Sequence, residues 1–170
     1  MNDQNPFRRN LSSLQRRLPV IRDGDSGWYQ GWYFVLRLEE ELVRCTRYHV
    51  PLSIMVFVIH EPVSDEANAR LLRELLHDIV ARKLRRTDLP GMLGTNEFAV
   101  SLPHTMAVQA DIVMRRLIKA FAPFTLGVGL VSYPEDGDKP EPLLDLAEQR
   151  AIVSLRAALD QEQEPSRALA

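Results

Sequence analysis

Arg85 and Asp88, three residues apart in the stretch Arg85-Arg86-Thr87-Asp88, are the pair in this chain best suited to recognising an anion or a nucleobase. A guanidinium is a planar fork that pairs bidentately with phosphate oxygens or with guanine O6 and N7. A carboxylate accepts hydrogen bonds of the kind that guanine N1–H and N2–H donate. At a helix exit, two residues so spaced face one way. The same pattern is also that of an ordinary surface ion pair, worth roughly 0–1 kcal/mol. Spacing alone leaves both readings open.

The other reactive side chains form no comparable set. Gly94-Thr95-Asn96-Glu97-Phe98 lies between two apolar runs and reads as the tip of a β-hairpin, with a turn suited to positive φ. Glu97 is the one carboxylate in it, and one carboxylate is not a two-metal site. His49, His60, His77 and His104 are scattered without paired metal-ligand spacing, and His60 reads as a strand exit. Ser132 has no Gly-x-Ser-x-Gly elbow around it. Gly127-Val128-Gly129 lies inside a strand and opens no helix, so it is no dinucleotide fingerprint. It marks a bulge or a close backbone approach instead. Cys45 sits on a helix stripe as a small core residue.

Composition sets the class. The chain has 170 residues, 45% apolar and 26% charged, which suits one globular domain. A net charge of −2 makes no case for nucleic acid. The single cysteine excludes an internal disulfide framework and fits a reducing compartment. No apolar run approaches the roughly 18–20 residues that span a bilayer, and no apolar stretch follows the N-terminal arginines as a signal peptide requires. The expected location is the cytoplasm, with no transmembrane segment.

These residues need a scaffold, and the apolar pattern supplies one. Residues 1–22 carry Arg8, Arg9, Arg16, Arg17 and Arg22 against Asp3, with Leu11, Leu14, Leu18 and Ile21 at helical spacing. They read as a basic tail, or as a short amphipathic helix that docks on a partner or a membrane surface. Asp23-Gly24-Asp25-Ser26-Gly27 is turn chemistry. Trp28, Tyr29, Trp32, Tyr33 and Phe34 follow and read as cover for the core, with ligand stacking as the alternative. A helix then runs to Tyr48, with Phe34, Leu38, Leu42 and Cys45 on one stripe. The unbroken apolar run 51–59 reads as a central strand buried on both faces. After a loop at 60–63, a helix spans about 64–84, with Ser64 as its N-cap. Its inner face is Leu71, Leu72, Leu75, Leu76, Ile79 and Val80. Strands at 88–93 and 97–102 form the hairpin. A helix over about 105–121 turns Val108, Ile112, Val113, Leu117 and Ile118 inward. A strand at 124–133, a turn, and a helix over about 141–159 complete an α+β domain of residues 23–162, followed by a disordered tail at 163–170.

Several local segments, taken in order, resemble the GGDEF domain, the catalytic domain of diguanylate cyclases, over roughly residues 23–159. Asp23, Ser26, Gly27 and Phe34 fit its opening motif. Arg47-Tyr48-His49-Val50-Pro51-Leu52-Ser53 fits the lead into its first strand. Arg85-Arg86-Thr87-Asp88-Leu89 fits the approach to its hairpin. Val128-Gly129-Leu130-Val131-Ser132-Tyr133-Pro134 with Glu135-Asp136-Gly137 fits its late strand and turn. Leu93-Gly94-Thr95-Asn96-Glu97-Phe98 looks like the Gly-Gly-(Asp/Glu)-Glu-Phe signature with its chemistry removed. Asn96 stands for the metal-binding carboxylate and Thr95 for the second glycine, beside Gly94 and Glu97. Val58 and His60 stand where the family has Asp-x-Asp. The loop after His60 is shorter than the family's, Ala69 replaces a later Asp, and Ser154-Leu155 replaces an Ala-Lys step.

The resemblance implies a palm-like fold, with a central antiparallel-mixed sheet flanked by helices. It implies no catalytic residue, no metal and no cofactor: Val58 and Asn96 cannot hold Mg²⁺, and a β-branched Thr95 obstructs the approach of a phosphate. In the family a second, inhibitory site for cyclic di-GMP has the pattern Arg-x-x-Asp five residues before the hairpin glycine. Arg85 and Asp88 match it. Arg116, beside Arg115, matches the arginine that completes it, and Arg86 lies within it. The implied function is a non-catalytic cyclic di-GMP receptor that signals through a protein partner or through ligand-bridged self-association, in biofilm matrix production, motility or development. The alternative is a pseudoenzyme scaffold with no nucleotide ligand, and a residual nucleotide-processing enzyme is a third. The receptor reading requires Arg116 to face the 85–88 turn.

Overall fold

Leu52–Ile59 organises the molecule. The structure, a computed structural model, describes residues 20–60 and 66–167, with side chains as far as residue 161. In chain order the elements are β1 (Tyr29–Gln30), α1 (Gly31–Tyr48), β2 (Leu52–Ile59), α2 (Glu66–Arg82), β3 (Leu89–Met92), β4 (Glu97–Pro103), α3 (Ala107–Ala120), β5 (Leu126–Tyr133) and α4 (Pro140–Arg167). The β2 run is apolar at consecutive positions, so neither face suits water, and it is flanked by β4 and β5. The sheet order is β1-β3-β4-β2-β5, antiparallel throughout except for the parallel β1–β3 pair. The short β1 was not legible in the sequence.

Alternate residues of β2 feed two cores. Met55, Phe57 and Ile59 meet Leu72, Leu76 and Ile79 of α2 and Leu117 of α3. Leu52, Ile54 and Val56 meet Phe34, Leu38 and Leu42 of α1 and Leu143 and Ala147 of α4. Helices therefore cover both faces of the sheet, two on each among the described residues, in the expected α+β architecture. Among the described residues, no helix is long and apolar enough to cross a membrane.

Two helices turn differently from the periodicity reading. Val108 (78% exposed), Ile112 (67%) and Ile118 (38%) face outward on α3. The helix instead buries Ala110 and Leu117, with Val113 and Met114 against the core. Phe121 sets this rotation: it is fully buried and stacks on Phe57, with centroids 5.3 Å apart. On α2, Leu71 is exposed, while Leu72, Leu76 and Ile79 form the buried stripe. The expected N-cap Ser64 lies outside the described residues, as do residues 1–19. At the other end α4 continues to Arg167, past the expected stop near Leu159 and into the expected tail.

The aromatic cluster divides. Trp28 and Phe34 are fully buried, whereas Trp32 is about half exposed and Tyr29 and Tyr33 are half-buried. Trp28 packs edge-on to Phe98, and its Nε1 donates to the Leu76 carbonyl at 2.8 Å. Trp28→Phe should cost about 2 kcal/mol in urea unfolding, from the lost hydrogen bond and the smaller ring. A change under about 0.5 kcal/mol would show that the indole does not tie β1 to α2.

The hairpin turn also differs from expectation. None of Gly94, Thr95 and Asn96 has positive φ. The loop spans residues 93–96 and closes with Leu93 N and Gly94 N donating to the Glu97 carbonyl at 2.9 and 3.1 Å. Four-residue loops are built mostly around type I geometry, which needs no left-handed residue. Positive φ appears instead at His49, which ends α1, and at His104, just past β4.

Candidate functional site

The candidate residues fall at two opposite ends of β3. At the hairpin end, Val58 pairs with Glu97 across β2–β4, and Ile59 N donates to the Asn96 carbonyl at 2.9 Å. Val58, Asn96 and Glu97 therefore converge there, below Gly94 and the exposed Thr95. His60 leaves β2 with its backbone N–H on the Thr125 carbonyl and its side chain exposed. Val58 packs into the α1–α4 core. Burial pushes the Glu97 carboxyl above its usual range, and the nearby charge of Glu148 on α4 adds to this. A valine, an amide and a single carboxylate make a poor nest for a divalent cation. Among the described residues, no group of three or more His, Cys, Asp or Glu side chains is arranged to hold one.

The other end carries the Arg85–Asp88 turn, between α2 and β3. Asp88 Oδ2 accepts from Arg85 N at 2.7 Å, and Asp88 N donates to the Arg85 carbonyl at 3.1 Å. The motif is thus a turn closed by its own carboxylate. Arg116 reaches this turn from α3: its Nη2 donates to the Lys83 carbonyl at 2.8 Å, and its charge acts on Asp88. It backs the turn and does not line the cleft described below. Arg115 points elsewhere, with its Nε on Asp111 at 2.8 Å along the outer surface of α3. Burial raises the pKa of Asp88, while the Arg85 N–H and the charges of Arg85 and Arg116 partly oppose that rise.

Arg85, Arg86 and Asp88 open onto a cleft of about 740 Å³, a volume within the range of small-molecule sites. Its other side comes from α1, where Tyr33, Arg37, Glu41 and Arg44 line it at spacings of four, four and three. Arg37 pairs with Glu40, and Arg44 pairs with Glu41 at 2.7 Å. Arg22, Tyr29 and His104 complete the rim. Among the described residues, five arginines face two acids, Glu41 and Asp88, so the cleft suits an anion. Arg85 and Arg86 are exposed where they line the cleft. Sequence reasoning missed the α1 contribution. The available signal was the Tyr33–Arg37–Glu41–Arg44 stripe beside the buried one.

No family model matches this chain, and no curated protein does. Solved structures do. The GGDEF domain of TpbB (YfiN) from Pseudomonas aeruginosa superimposes with a TM-score of 0.72 at 22% identity, over 80% of this chain and 89% of that one. The FimX GGDEF domain of the same organism gives 0.72 at 17% identity, over 82% and 96%. The GGDEF domain of DgcB from Caulobacter crescentus, solved in complex with cyclic di-GMP, gives 0.70 at 13% identity, over 86% and 91%. The fold of this chain is that of a GGDEF domain.

Proposed function

We propose that this chain is a cytoplasmic, non-catalytic receptor for cyclic di-GMP. The observation that carries the reading is the Arg85–Asp88 turn opening onto an arginine-lined cleft, at the end of β3 away from the hairpin. Arg85 and Arg86 extend to phosphate or to guanine O6 and N7. The bond to Arg85 N engages Asp88 Oδ2, which leaves Oδ1 to accept from the guanine N1–H and N2–H edge. Arg116 holds the turn from behind, and Arg115, paired with Asp111, takes no part. The cyclic di-GMP complex of DgcB, a protein of the same fold, supports this ligand class.

Inactivity follows from the hairpin end. Joining two GTP molecules needs metals that neutralise phosphate charge and activate a ribose hydroxyl. Val58, Thr95 and Asn96 provide neither ligand nor room. The receptor then acts through contacts with a protein partner or with a second copy. A solved structure of the diguanylate cyclase SiaD with its activator SiaC, TM-score 0.70 at 21% identity, shows that another protein of this fold takes a protein partner.

Calorimetric titration with cyclic di-GMP, GTP and GMP tests the reading. Micromolar or tighter binding of cyclic di-GMP, lost in Arg85→Ala, is the expected result. No binding of any nucleotide would leave the scaffold reading in its place. Synthesis of cyclic di-GMP from Mg-GTP would overturn the inactive assignment.

A further inference from the structure

The cleft has an aromatic side that the Arg85–Asp88 chemistry does not account for. The Arg22 guanidinium lies over the Tyr29 ring, with Cζ 3.9 Å from its centroid, and donates to the Tyr29 hydroxyl. Its Nη1 also donates to the Gly27 carbonyl at 3.2 Å. The Tyr29 ring in turn rests against Tyr33, with centroids 4.9 Å apart and planes tilted by 32°. All three residues line the cleft, and Arg22 also lines the adjoining 390 Å³ cavity together with Arg85, Arg86 and Asp88. The backbone fixes this stack. Arg22 and Tyr29 form an antiparallel bridge, Asp23 N donates to the Trp28 carbonyl at 2.8 Å, and Gln30 N donates to the Ile21 carbonyl at 3.0 Å. The intervening turn is tied by Asp23 Oδ1, which accepts from both Ser26 N and Ser26 Oγ at 2.7 Å.

We infer that Arg22 and Tyr29 form a base-stacking wall that makes the cleft select a purine over a pyrimidine. A guanidinium is flat and weakly hydrated, so it can hold an aromatic ring on one face and a nucleobase on the other. The arginine excess demands an anion and the tiered wall demands a flat ring. A phosphorylated purine meets both demands, and its two fused rings cover more of the guanidinium than a pyrimidine does. A point charge does not stack, so lysine at position 22 keeps the attraction for phosphate and loses the wall. This inference rests on the reading of the cleft as a cyclic dinucleotide site and adds to it the base preference.

The test measures cyclic di-GMP, cyclic di-UMP, GMP and UMP binding to the full chain, to Arg22→Lys, to Tyr29→Leu and to Arg85→Ala. The wild-type chain should prefer cyclic di-GMP to cyclic di-UMP. Arg22→Lys and Tyr29→Leu should each weaken cyclic di-GMP by roughly tenfold and cyclic di-UMP by less, so that the preference between them narrows. Unaltered cyclic di-GMP binding in both variants, with loss in Arg85→Ala, would overturn the wall and leave the receptor standing. A preference for GMP over UMP that depends on Arg22, without binding of any cyclic dinucleotide, would keep the wall and overturn the receptor. Binding of none of the four ligands would overturn both.

Discussion

Gly129→Ala is expected to destabilise the fold by at least about 3 kcal/mol in urea unfolding, the upper end for overpacking of a core. A Cβ at position 129 would lie 1.8 Å from the Ala147 carbonyl oxygen and 2.8 Å from Ala151 N. One at Gly127 would lie 2.0 Å from the Ala151 carbonyl oxygen. These are backbone atoms on both sides, so no change of rotamer relieves the overlap. Relief requires α4 to move away from β5, which opens the core of Phe34, Leu38, Leu143 and Ala147 on that face of the sheet. In a domain of this size such a loss lowers Tm by roughly 6–12 °C. A cost below about 1 kcal/mol would mean that α4 does not sit directly on the glycines of β5.

Asp88→Asn is expected to separate binding from stability. Cyclic di-GMP affinity should fall by at least about 2 kcal/mol, roughly thirtyfold, while the unfolding free energy stays within about 1 kcal/mol of wild type. Asparagine keeps an oxygen that can accept from Arg85 N, so the turn survives. It replaces the second carboxylate oxygen with a donor, which then opposes the guanine N1–H and N2–H donors. The pH dependence has a definite sign. Burial raises the folded pKa of Asp88, so its charge costs stability. That cost is absent below the unfolded value near about 3.9, builds as pH rises above it, and is complete once pH has passed the raised folded pKa. Binding needs the carboxylate and runs the other way: affinity falls as pH drops through that raised pKa. The variant should lose this acid dependence. Wild-type affinity in Asp88→Asn, measured at neutral pH, would assign Asp88 to the turn alone.

The element order was legible because the strongest patterns leave one solution. The unbroken run of β2 has no polar face, so it must lie inside the sheet, and Gly127 and Gly129 announced a close approach that Ala147 and Ala151 of α4 supply. The Arg85–Asp88 spacing was legible for a similar reason: a short local turn depends on neighbours in the chain, and the carboxylate closes it without outside help. The rotations of α2 and α3 were not legible. Each helix carries more apolar residues than one face holds, and contacts distant in sequence, such as Phe121 on Phe57, choose among the registers. The cleft is the clearest case of tertiary choice. Arg22, the α1 stripe that carries Tyr33 and Arg44, and Asp88 belong to three separate segments and become one surface only when the parallel β1–β3 pair sets α1 beside the turn that ends α2. Local spacing decides the hydrogen bonds within a turn, whereas a cavity is the space left between elements and exists only once they have packed.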